Sequence, residues 1–139
     1  MKYFLMSCRF DKQSPNDFGL KYENGIFYSK KDNSIWNICN LYDFGVGREN
    51  GFYKEPLPKF ESLIEILLKS NDKEDRYGAA AIIIYNFIDD LYLYLTSISK
   101  KQRLLFIKKT NEFLLFDRLN RFILPNSIYN FEMWKKISS

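Results

Sequence analysis

Gly19-Leu20-Lys21-Tyr22-Glu23-Asn24-Gly25-Ile26-Phe27-Tyr28-Ser29 is the stretch on which the reading of the fold turns. Two short runs, Gly19-Leu20-Lys21-Tyr22 and Ile26-Phe27-Tyr28-Ser29, flank Glu23-Asn24-Gly25. Both turn residues tolerate the positive φ of a type I′ turn, so the pattern predicts a tight β-hairpin. Upstream, Phe4, Met6, Cys8 and Phe10 alternate with Leu5, Ser7 and Arg9, the period-two pattern of a strand with one apolar face. Ser14-Pro15-Asn16-Asp17 breaks that run, and Lys31-Asp32-Asn33 turns the chain again before Ile35-Trp36-Asn37-Ile38-Cys39. The expectation over residues 1–40 is an antiparallel meander of three to four strands. Such a sheet needs a helical layer over its apolar face.

From Pro58 the period changes. Phe60, Leu63, Ile64, Leu67 and Leu68 follow i, i+3, i+4, i+7, i+8, which predicts an amphipathic helix. Asp72 and Asp75 are spaced to start a second one. In it Tyr77, Ala81, Ile84, Ile88, Leu91, Leu95 and Ile98 are separated alternately by four and three, so one continuous helix is expected. Ala79, Ile82, Ile83 and Phe87 place its first half centrally, and Asp89-Asp90 mark where it becomes exposed. Ser99 and Gln102 have the spacing of a capping box. A third helix therefore opens at Lys100, and Leu104, Leu105, Ile107, Leu114, Leu115, Leu119, Phe122 and Ile123 carry it or its continuation towards Pro125. Asn126-Ser127 could cap a last short helix through Ile128, Phe131, Trp134 and Ile137.

These elements make an α+β protein, an N-terminal antiparallel β-meander packed against three to four C-terminal α-helices. At 139 residues it reads as a single domain over 1–139. Its parts are a meander (1–40), a connector (41–58) punctuated by Gly45, Gly47, Gly51, Pro56 and Pro58, and a helical part (59–137). A hydrophobic fraction of 46% supplies a sizeable core and argues against disorder. The 13 Phe and 10 Tyr exceed what a core needs. Surface anchors for a partner and a biased overall composition account for them equally well.

Composition bears heavily on chemistry. The chain has no histidine, which removes the commonest general base, Ser–His and Cys–His nucleophiles and most zinc sites. Cys8 and Cys39 make at most one bridge and read as small buried hydrophobes of a reducing compartment. Gly45-Val46-Gly47 lacks the third glycine of a dinucleotide fingerprint, because position 50 is Asn50. The carboxylate pair Glu61 and Glu65 reads as a solvated helix face. Asp89 and Asp90, adjacent in sequence, diverge by about 100° around a helix and would not jointly hold a metal. The expectation is a protein that is not an enzyme and uses no cofactor or metal. The N-terminus lacks an uninterrupted apolar signal core, and the apolar stretch 78–95 contains Asn86, Asp89 and Asp90. Cytoplasmic localisation away from the membrane is expected.

Charge is polarised along the chain. Residues 1–39, 40–99 and 100–139 have nets of +2, −4 and +6 within the overall +4. A solvated surface with mixed signs is the plain explanation, and an electrostatic partner is the sharper one. Lys100, Lys101, Arg103, Lys108, Lys109, Arg118, Arg121, Lys135 and Lys136 interleave with Phe113, Phe116, Phe122, Tyr129, Phe131 and Trp134. That pattern would suit nucleic acid, with cations on phosphates and rings on bases. Core packing at helical spacing accounts for the same rings.

The run Lys73-Glu74-Asp75-Arg76-Tyr77-Gly78-Ala79-Ala80-Ala81-Ile82-Ile83-Ile84-Tyr85-Asn86-Phe87-Ile88-Asp89-Asp90-Leu91 resembles a segment of small bacterial immunity proteins. These are the cognate inhibitors of polymorphic and contact-dependent growth inhibition toxins. The resemblance covers these 19 residues and implies neutralisation of a cognate toxin domain by one-to-one protein binding. Nuclease toxins are one class whose basic groove an acidic inhibitor could fill, and an acidic toxin face met by the basic residues of 100–139 is the other arrangement. On that reading Glu74, Asp75, Asp89 and Asp90, with Phe52 and Tyr53 of the connector, form part of the partner-binding surface. The alternative is a nucleic-acid-binding or regulatory accessory protein that uses the basic C-terminal third. The oligomeric state stays open.

Overall fold

A computed structural model describes residues 2–6, 14–40, 50–114 and 127–138. Within them the chain is α+β, a five-stranded antiparallel sheet followed by five helices. The strands are β1 (Phe4–Met6), β2 (Leu20–Glu23), β3 (Ile26–Ser29), β4 (Ile35–Asn40) and β5 (Asn50–Lys54). A 3₁₀ turn, Pro15–Phe18, precedes β2. The helices are α1 (Phe60–Lys69), α2 (Lys73–Asn86), α3 (Ile88–Ser97), α4 (Lys100–Leu114) and α5 (Phe131–Ile137). Among the described residues no single helix is long and apolar enough to cross a membrane.

The hairpin forms where Asn24-Gly25 predicts it, with φ of 51° and 78° at the two turn residues and Glu23 paired with Ile26. The sheet order is β1-β5-β4-β3-β2. Strands β2 to β5 meander, and β1 returns to the far side of β5 rather than lying beside β2. The expected connector therefore contains a strand, and that strand joins β1 to the rest of the sheet. Gly51 and Pro56 look like loop punctuation, yet Gly51 sits in register with Met6 and Cys39. Pro56 falls just after the strand ends, where a missing N–H costs the ladder nothing. Residues 41–49, with the partial glycine fingerprint, lie outside the described residues, as do 7–13 with Cys8 and Phe10.

Alternation along the strands serves two cores. Phe4 and Met6 enter the main core, formed with Leu63, Leu67, the buried run Ala79–Ile84, Leu91, Leu95, Phe113 and Trp134. Leu5 points to the other face, where Phe18, Leu20, Trp36 and Phe52 make a second, smaller cluster. Phe52 is its hub, with the rings of Phe18 and Phe27 at 5.0 and 4.9 Å. The helices pack mainly on β1, so β2, β3 and β4 extend beyond the helical layer.

Local capping follows the side chains that the sequence offers. Gln102 N–H donates to Ser99 Oγ at 3.1 Å and Ser99 N–H to Gln102 Oε1 at 3.2 Å, the expected capping box. Asp75 N–H donates to Asp72 Oδ1 at 3.2 Å. The last helix starts later than expected, at Phe131, with Asn130 accepting from Met133 N–H at 3.0 Å.

The long second helix is the largest departure from expectation. It breaks at Phe87 (φ −135°, ψ 27°), and its two halves, α2 and α3, are inclined by 100°. Phe87 ends the first by donating to Ile83 C=O and starts the second by accepting from Leu91 N–H. A four-three stripe cannot register such a break, because both halves bury the same stripe. The informative residues are Asp89 and Asp90, which occupy the first turn of α3, where the helix dipole favours acids.

Candidate functional site

The acidic start of α2 faces inward. Asp75 is 1% exposed. Its Oδ1 accepts the main-chain N–H of Tyr3 at 3.0 Å and of Phe4 at 2.9 Å. Glu74 Oε2 accepts Met6 N–H at 2.7 Å. Lys2 Nζ completes the cluster through Asp72 at 2.7 Å and through Glu74. Asp75 and Glu74 therefore satisfy main-chain N–H groups along the outer edge of β1, which has no strand beyond it among the described residues, and Asp72 is tied in through Lys2. Gly78 lets α2 approach so closely, since a Cβ there would overlap the Phe4 ring.

Titration follows from this packing. Burial raises the Asp75 carboxyl above its ordinary 3.8, and the Phe4 and Tyr3 N–H groups only partly offset it. Burial also acts upward on Asp72, but the Lys2 ammonium and the Asp75 N–H prevail and hold it below 3.8. For Lys2 desolvation is outweighed by Asp72 and Glu74, so its ammonium persists above 10.5.

The six residues expected at a partner surface are thus distributed rather than gathered. Asp75 and Glu74 lie at one end of α2 and Asp89 and Asp90 beyond the other, about 20 Å away along a helix of 14 residues. Asp89 Oδ1 accepts Ser127 Oγ at 2.7 Å and Ile128 N–H at 3.1 Å, which ties the segment before α5 to α3. Asp90 alone of the four carboxylates belongs to an exposed residue. Phe52 is buried in the smaller core. Tyr53 points to the opposite face, where it lines an open cleft of about 570 Å³ with Asn33, Ser34, Ile35, Glu55, Pro56 and Leu57.

In the basic C-terminal third, Phe113 and Trp134 are fully packed into the main core. Tyr129 stacks on Tyr92 at 3.8 Å. These three rings are committed to packing, and Phe131 is 40% exposed. Phe116, Phe122, Arg118 and Arg121 fall outside the described residues. Arg103 is turned inward, donating to the C=O of Leu95 and Ile98 and so closing the C-terminus of α3.

A stripe on α4 lies at the surface. Lys101, Leu104, Leu105 and Lys108 recur at i, i+3, i+4 and i+7 on its outer face. Leu104 and Leu105 are 41% and 52% exposed. Beside them runs a groove of about 210 Å³ between α1, α3 and α4, lined by Leu68, Tyr94, Ile98, Gln102, Leu105, Phe106 and Lys109. Two large apolar side chains edged by exposed lysines are the profile of a protein contact, an apolar centre with a charged rim. Sequence periodicity alone assigns both leucines to the core and so conceals this stripe.

Comparison with protein-family models, with curated proteins and with solved structures gives no match.

Proposed function

We propose that this chain is an immunity protein, which neutralises a cognate bacterial toxin by stoichiometric binding through the α4 stripe and the groove beside it. The observation that carries the reading is the exposed Leu104–Leu105 pair with lysines one turn away on either side. Completing the burial of two half-exposed leucines contributes about 2 kcal/mol. Exposed lysines add little affinity but steer association. The face they suit is acidic with an apolar centre, so the partner surface is of opposite sign to a nuclease groove. Further support is the likeness of residues 73–91 to immunity proteins. The apolar floor favours a protein over nucleic acid, whose contacts go chiefly to charged phosphate and to sugar.

Co-expression with the tagged C-terminal domain of the adjacent upstream gene product tests the proposal. The expected result is a one-to-one complex and rescue of growth, with both lost in the Leu104→Asp/Leu105→Asp variant. A complex that survives that variant overturns the assignment of the surface. Absence of any complex, with nucleic acid co-eluting at low salt, overturns the class and leaves the basic accessory protein.

A further inference from the structure

The geometry points to a second interaction surface, the outer edge of β2, and to its occupant, a second copy of this chain. Lys30 N–H donates to Gly19 C=O at 3.0 Å, which makes positions 19 and 30 a bonded pair at the base of the hairpin. Bonded and non-bonded pairs alternate along an antiparallel ladder, so 21 with 28 and 23 with 26 are bonded. The main-chain groups of Leu20 and Tyr22 then point away from β3. Leu20 is buried, whereas Tyr22 is 59% exposed, and its N–H and C=O find no partner among the described residues.

The neighbours of Tyr22 make this open edge complementary to itself. Lys21 and Glu23 are exposed, stand on the same face and flank Tyr22 symmetrically. A two-fold axis through Tyr22 would pair each Tyr22 with its counterpart, exchanging two main-chain hydrogen bonds. The same axis sets Lys21 of one copy opposite Glu23 of the other, twice over. Those flanking positions are non-bonded pairs, where Cα atoms come within about 4.5 Å and side chains are closest. Opposite charges directly across strands stabilise a sheet and like charges oppose it. On the other face the Tyr22 ring, already set against Phe27 at 4.8 Å, meets its own copy. The contact is isologous and therefore closes at two chains. It ends at the Asn24-Gly25 turn and at buried Leu20, so the added ladder is short and the dimer weak. This surface is separate from the α4 stripe and does not depend on the immunity reading.

Sedimentation velocity across a wide concentration range tests it. Wild-type chain should rise in apparent mass from 16.7 kDa towards twice that value. Lys21→Glu and Glu23→Lys should each stay monomeric at the same concentrations, because each sets like charges across the axis. Mixing the two variants in equal amounts should restore the dimer, since the mixed pair sets a glutamate against a lysine at both crossings. Tyr22→Pro removes an outward N–H without touching the ladder to β3 and should also stay monomeric, with unchanged circular dichroism. A wild-type chain that is monomeric throughout overturns the proposal. So does self-association that is equal in both single variants and the wild type, or a mixture that fails to recover it.

Discussion

β1 and β2 are the two outer strands of the sheet among the described residues, and each turns main-chain groups to its outer side. At β1 those groups are answered from within the chain, Tyr3 and Phe4 by Asp75 and Met6 by Glu74. At β2, Tyr22 is left facing outward. Open strand edges invite pairing with another chain, and covering one with a helix, here α2, is among the ways to prevent it. An acidic cluster can therefore belong to the fold rather than to a partner. The edge left uncovered is then the informative one.

The largest effect is expected where β1 meets the helices. Phe4→Ala empties a fully buried ring site in the main core and should cost about 4 kcal/mol in denaturant unfolding. A loss under about 1 kcal/mol would mean that β1 is not anchored there and that the two edges are alike.

Asp75→Ala strands two main-chain donors and should cost about 3 kcal/mol. Asp75→Asn keeps the accepting Oδ1 and should stay within about 1 kcal/mol of wild type at neutral pH. Acid titration separates the charge from the hydrogen bonds. The folded state holds the Asp75 proton more tightly than the unfolded chain does. Stability from this group therefore grows as pH falls towards 3.8 and shrinks as pH rises through the folded value. Asp72 has the opposite sign, contributing above 3.8 and losing its contribution as pH falls below that value. Unfolding curves of Asp75→Asn across this range should lack the gain on the acid side and keep the later loss. An unaltered pH profile would show that the buried carboxyl does not titrate in this window.

Gly78→Ala sets two effects against each other. The added methyl overlaps the Phe4 ring, an overpacking cost of about 2 kcal/mol, while alanine favours the helix by about 1 kcal/mol. A net loss of about 1 kcal/mol by thermal or denaturant unfolding is expected, and stabilisation would mean that β1 can give way.

The smallest effect comes from the opposite edge. Lys21→Glu and Glu23→Lys sit on an exposed strand and should change monomer stability by less than about 0.5 kcal/mol. Comparing their denaturant midpoints with that of Asp75→Ala tests whether one edge carries the fold and the other does not.

Much of this architecture is legible from local residues. Asn24-Gly25 specifies its turn through φ preferences, and α1 follows from the stripe Phe60 to Leu68. The caps at Ser99 and Asp72 follow from side chains three positions from the N–H they accept. Strand β5 is not legible, because Gly51 and Pro56 read as a loop and only pairing with β1 and β4 makes Asn50–Lys54 a strand. Nor is the break at Phe87, where no proline or glycine marks the bend. The site residues are subject to the same limit. Glu74 and Asp75 look like surface charge because their partners are some seventy positions away. Leu104 and Leu105 look like core because periodicity cannot say how much of a stripe is covered.

Local chemistry accounts for the α+β class, the hairpin, the amphipathic helices, the absence of histidine and the polarised charge. Each depends on the residues present or on dihedral and hydrogen-bond preferences within a few positions. Three features come from tertiary packing instead: the place of β1 beside β5, the bend between α2 and α3, and the choice of which charges and apolar groups face outward. Those outcomes depend on which surfaces exclude water together, and burial of Asp75 against Phe4, 71 positions away, is not encoded in either residue's neighbours.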